Sequence, residues 1–67
     1  MYQYKFLTNC GVTLTFESKY YINELTPVIF PDATFIRFED AEMVIKLTEI
    51  KDVEINGVRH QIKSYAV

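Results

Sequence analysis

The sequence predicts a mainly β fold: one domain over residues 1–67, with five or six antiparallel strands and at most one short helix in the middle. Three observations carry this reading. Apolar and polar residues alternate from Tyr2 to Phe6, from Val12 to Phe16 and again from Phe35 onward, which is the period of a strand with one buried face. From Phe35 to Val67 there are three such runs, with Asn56-Gly57 between the last two, and this pair tolerates the positive φ that a two-residue type I′ hairpin turn demands. The chain also holds five Phe and five Tyr in 67 residues, an aromatic load suited to pleated surfaces.

The first hairpin reads in register. Asn9-Cys10-Gly11 makes a three-residue loop with Gly11 in the left-handed conformation. That loop pairs Thr8 with Val12, Phe6 with Leu14 and Tyr4 with Phe16. All the apolar side chains then share one face, whereas a slip of one residue would divide them.

The middle segment is open to two readings. Ser18 is placed to cap a short helix through Thr26, with Tyr21, Ile22 and Leu25 on one stripe, although two turns are marginal in isolation. Pro27 ends any such helix. Between Pro27 and Pro31, Val28-Ile29-Phe30 is either a short edge strand or a loop dropping apolar side chains onto the core.

From Thr34 the alternation returns, with Ile36 and Phe38 on one face and Phe35, Arg37 and Glu39 on the other. Asp40-Ala41 makes a turn, after which Met43, Ile45 and Leu47 continue the inner face. Leu47 and Ile50 lie three apart, so one 3₁₀ turn brings both inward before Val53 and Ile55 resume. Counting outward from Asn56-Gly57 pairs Ile55 with Val58, Glu54 with Arg59 and Val53 with His60. This register predicts a Glu54–Arg59 ion pair and turns Val58, His60 and Ile62 to the inner face.

The run from Phe35-Ile36-Arg37-Phe38 to Val53-Glu54-Ile55 resembles the closing half of SH3-like and Sm-like small barrels, in which a 3₁₀ turn separates the last two strands. The resemblance implies a sheet curled toward a small SH3-like barrel. The tyrosine-rich first hairpin followed by Thr34-Phe35-Ile36-Arg37-Phe38 and Val44-Ile45-Lys46-Leu47-Thr48-Glu49-Ile50 also looks like short phage and prophage proteins of Gram-positive bacteria. Neither resemblance supplies functional residues, and fold alone assigns no function.

Composition narrows the chemistry. Seven Lys and Arg against nine Asp and Glu give a net charge of -2, and the cations are scattered, so no nucleic-acid footprint stands out. No apolar run approaches the roughly 20 residues of a spanning helix, and Met1-Tyr2-Gln3-Tyr4-Lys5 does not begin like a signal peptide. The single cysteine, Cys10, cannot form an intrachain disulfide, which points to the cytoplasm. Small domains without such staples often complete their core by association, so a homodimer stays open.

Candidate chemical groups are few. His60 is the only histidine and reads as a structural one, with no partner near in sequence for a metal site. Cys10 reads as a loop thiol, because the one imidazole able to activate it belongs to another hairpin. Glu39, Asp40 and Glu42 read as solvated turn charges. No cofactor, metal site or catalytic residue is expected. Tyr2, Tyr4, Tyr20, Tyr21 and Tyr65 beside Lys5, Lys19, Arg37, Lys46, Arg59 and Lys63 form the case for single-stranded nucleic acid, but interleaved acids weaken it. Leu7, Phe35 and Val44 point outward and need a cover, supplied either by residues 18–33 or by another chain. The function expected is therefore non-enzymatic protein interaction with a partner of unknown identity, through Tyr20, Tyr21 and Phe35.

Overall fold

The computed structural model describes residues 1–61, and its strands begin where the alternation begins. There are seven: β1 (Tyr2–Thr8), β2 (Thr13–Ser18), β3 (Val28–Ile29), β4 (Thr34–Phe38), β5 (Met43–Lys46), β6 (Ile50–Ile55) and β7 (Val58–Gln61). They form two antiparallel sheets, one ordered β2-β1-β6-β7 and the other β3-β4-β5.

Both hairpin registers agree with the sequence. Tyr4 faces Phe16 and Phe6 faces Leu14. The loop closes through Thr8 N–H to the Val12 carbonyl at 2.9 Å, with Gly11 at φ +88°. At the second turn Asn56 and Gly57 lie at φ 52° and 82°, as type I′ requires, and Ile55, Glu54 and Val53 face Val58, Arg59 and His60. Asn56 has a further task. Its Oδ1 accepts the Gln3 N–H at 2.8 Å and its own N–H donates to the Gln3 carbonyl at 2.9 Å, so the turn also fastens β6 to β1.

The inner faces meet in one core of Tyr4, Phe6, Ile22, Ile36, Phe38, Ile45, Leu47, Ile50, Val53 and Ile55. At its centre the Phe38 ring of the smaller sheet lies 4.8 Å from Tyr4 and 4.9 Å from Phe16, both of the larger. Leu47 and Ile50 both point inward because a single 3₁₀ turn, Leu47–Glu49, resets the phase between β5 and β6.

The structure corrects some expectations and decides points the sequence leaves open. Strands number seven among the described residues, because the bracketed Val28-Ile29 does pair with Thr34 and Phe35. No strand pair joins the two sheets among the described residues, so the expected curl does not close into a barrel there. The prolines confine β3 to two residues, and the end of β2 meets the Glu39–Ala41 turn instead of a strand. The middle holds one 3₁₀ turn, Ile22–Glu24, and no longer helix. Ser18 caps nothing: it is the fully buried last residue of β2, its Oγ donating to Asp40 Oδ1 at 2.8 Å and accepting the Tyr20 N–H at 3.1 Å.

Finally, the last strand keeps its expected register and face but not the expected burial. Val58 is 58% exposed and His60 is exposed, because β7 is an edge strand lying beyond the core. Ile62, Lys63 and Tyr65 lie outside the described residues. The Glu54–Arg59 ion pair is also replaced. Arg59 Nη2 reaches Asp52 Oδ2 at 2.6 Å, and Glu54 Oε2 takes Lys5 Nζ at 3.7 Å. Asp52 is buried and Glu54 is not, so the guanidinium goes to the carboxylate that water serves least.

Asp40 is thus more than a solvated turn charge. Its carboxylate accepts the Lys19 N–H and the Ser18 hydroxyl, both at 2.8 Å, tying the larger sheet to the turn of the smaller one. The Lys19 N–H, and then the Ser18 hydroxyl, hold its pKa below the usual carboxylate value. A lowered folded-state pKa gives stability that is present above the unfolded-state value and lost as pH falls through the folded-state one. Ser18→Ala is expected to cost about 1–2 kcal/mol at neutral pH, since the Tyr20 N–H and Asp40 each lose a partner. The variant should also lose less stability on acidification than the native chain, which urea unfolding across acidic pH will read.

Candidate functional site

The surface most in need of explanation is the outer face of β3-β4-β5. Alternation along β4 sends Thr34, Ile36 and Phe38 inward, where all three are buried, and leaves Phe35 and Arg37 outside. Facing residues of paired strands share a side. Val28 and Lys46 therefore flank Phe35 on the outer face, and Val44 stands beside Arg37. Phe30 joins them, because it lies two residues beyond Val28 and its ring meets that of Phe35 edge-on at 5.9 Å. The Phe30 N–H donates to the Ala33 carbonyl at 2.8 Å, closing a two-residue connection at Pro31-Asp32.

This face has an apolar centre and a basic margin. Val28, Phe30 and Val44 are 54%, 52% and 60% exposed around a half-buried Phe35. Of the two margin cations, Lys46 is engaged by Glu49, Nζ to Oε1 at 3.3 Å. Arg37 is exposed and makes no ion pair among the described residues. The question of what covers the outward apolar residues therefore has two answers. The middle segment covers Phe35 in part, through Phe30, and leaves Val44 open.

The other expected contact residues sit elsewhere in the packing. Tyr21 is half-buried, its ring edge-on to Tyr2 at 5.1 Å. Tyr20 is also half-buried, with the Lys19 ammonium 5.4 Å from its ring and its carbonyl accepting the Tyr4 hydroxyl at 2.7 Å. Among the described residues Phe35 pairs with Phe30 and with neither tyrosine. The structure thus groups Phe35 with Val28, Phe30 and Val44 and keeps Tyr20 and Tyr21 apart from them. Val28 and Phe30 are the two that sequence reasoning missed as surface, and the signal was available: once the flanking prolines make this stretch an edge strand, alternation sets both beside Phe35.

The larger sheet offers open grooves. One of about 410 Å³ is lined by Gln3, Lys5, Thr15, Glu17, Glu54 and Gly57 among others, and a second shares Lys5 and Glu54 with it. Neither is lined by Cys10 or His60. Cys10 is exposed at the first hairpin tip, its Sγ 3.1 Å from the Thr8 hydroxyl. That hydroxyl, then the Val12 backbone, lower its pKa. Activation as a nucleophile needs a base as well, and no imidazole is shown beside it. No cluster of three or more His, Cys, Asp or Glu able to hold a metal ion occurs among the described residues, and no helix among them is long and apolar enough to cross a membrane. Comparison with protein-family models, with curated proteins and with solved structures finds no match.

Proposed function

We infer that the protein is a non-enzymatic, cytoplasmic protein-interaction module whose contact face is the outer side of β3-β4-β5. The observation that carries this reading is the exposure of Val28, Phe30 and Val44 around Phe35. A 67-residue domain that leaves these side chains in water keeps outside its core the kind of residue it most needs inside. We read the layout, with a 3₁₀ turn between β5 and β6, as a small SH3-like barrel opened along one side. The likeness to short phage and prophage proteins fits an accessory protein that acts on another protein.

Affinity capture from an extract of the source cells, read by mass spectrometry, tests the reading. The native chain is expected to retain a protein that Val44→Asp does not, and Val44→Asp is expected to fold, since exposed positions tolerate substitution within about 0.5 kcal/mol. Loss of capture on Tyr20→Ala with Tyr21→Ala, but not on Val44→Asp, would move the contact face. Identical capture by all variants, with steeply salt-dependent binding of mixed single-stranded oligonucleotides, would replace protein interaction with nucleic-acid binding.

A further inference from the structure

We propose that this face seats a short segment of a partner protein that carries apolar side chains next to a carboxylate, and that it holds the segment by side chains and not as a strand added to β3. The proposal rests on the protein-interaction reading and narrows it to a chemistry and a mode of docking.

Strand addition along β3, the edge beside Phe30 and Phe35, is blocked by two prolines. Because the Phe30 N–H is spent on Ala33, ladder alternation turns the backbone groups of Val28 and Phe30 toward β4. Those of Ile29 then turn toward the open edge, in phase with positions 27 and 31. Both of these positions are proline, which has no N–H to give. An incoming strand would find one donor, at Ile29, where three are needed, and such an edge is guarded against augmentation.

A second copy of the chain is too large an occupant. A side chain of this class buries on the order of 60–120 Å² when fully covered, so the half-exposed Val28, Phe30 and Val44 with part of Phe35 offer on the order of 200 Å². A standard interface needs roughly 800 Å² from each partner. Two or three apolar side chains of a short segment match the smaller figure. The charge of the segment follows from Arg37. It stands beside Val44, exposed and without an ion pair among the described residues, and a guanidinium at an apolar margin takes a carboxylate in a two-pronged hydrogen bond. A nucleic-acid strand would gain one phosphate contact there, since Lys46 is held by Glu49, and one contact contributes little affinity.

The test is panning of the full chain against a displayed library of random short peptides, followed by fluorescence anisotropy on the enriched sequences. Enrichment of paired apolar residues beside Asp or Glu is expected. Arg37→Glu should weaken binding roughly tenfold, equivalent to about 1.4 kcal/mol, and a peptide with its acid changed to Lys should recover it. Val44→Asp should abolish binding, and Pro27→Val should leave it unchanged. Enriched peptides without carboxylates, indifference to Arg37→Glu, or binding that depends on Pro27→Val would each overturn the proposal while leaving protein interaction standing. Concentration-dependent dimerisation that Val44→Asp abolishes would overturn it in favour of a second copy. Absence of any enriched peptide together with oligonucleotide binding lost on Val44→Asp would overturn both.

Discussion

Phe38→Ala is expected to remove about 3–5 kcal/mol of stability. Phe38 is fully buried, and its ring is the piece of the smaller sheet held among Tyr4, Phe6 and Phe16 of the larger, at 4.8, 6.1 and 4.9 Å. Since no strand pair joins the sheets among the described residues, their union rests on such packing and on the Ser18–Asp40 link. A chain of 67 residues has a total stability of roughly 3–10 kcal/mol at about 0.05–0.15 kcal/mol per residue. The deletion therefore takes from about a third of the stability to all of it. Urea unfolding by circular dichroism measures this, with Phe38→Leu as the milder partner. Leu keeps much of the volume and should cost no more than about half as much. A loss below about 1 kcal/mol for Phe38→Ala would show that the sheets are held together by something other than this ring.

What could be read from the sequence was what neighbouring residues decide. Asn56-Gly57 and Gly11 supply left-handed backbone at the point of use, so both hairpins and their registers follow from a few residues each. The 3₁₀ turn at Leu47–Glu49 was legible for the same reason, because the three-residue step between two apolar residues is itself local. The errors fall where a distant group casts the deciding vote. Ser18 looks like a helix cap until Asp40, 22 residues away, takes its hydroxyl. Arg59 has an acid directly opposite, yet it goes to Asp52 because burial ranks carboxylates in a way that register does not. Val58 and His60 were assigned the right side of the sheet but not its exposure, since alternation gives direction and only the fold gives cover. The contact face was legible in part. Phe35 and Val44 announced themselves as apolar residues out of phase, whereas Phe30 needed the knowledge that Pro31-Asp32 turns the chain back onto β4.

Alkaline titration should unfold the protein through Tyr4. The phenol ring is buried, stacked at 5.4 Å on Phe16 and 5.8 Å from Phe6, and its hydroxyl donates to the Tyr20 carbonyl. Burial is the main reason its pKa is pushed up from 10.0 to about 12, with Tyr21, Tyr2 and Glu24 adding to the effect and the Ile22 backbone opposing it. The folded-state value is raised, so the unfolded chain loses this proton first. The stabilisation is complete below pH 10.0 and declines as pH rises through about 12. Over that window the unfolding free energy should fall with a slope approaching one proton from this residue alone. Tyr4→Phe keeps the ring in the aromatic cluster and removes the titrating group. It should cost about 1 kcal/mol at neutral pH for the lost hydrogen bond to the Tyr20 carbonyl, and its alkaline slope should be shallower by up to one proton. Urea unfolding at a series of alkaline pH values measures both chains. Equal slopes would mean that Tyr4 ionises as readily in the folded protein as in the unfolded one, which a buried phenol donating to a carbonyl does not allow.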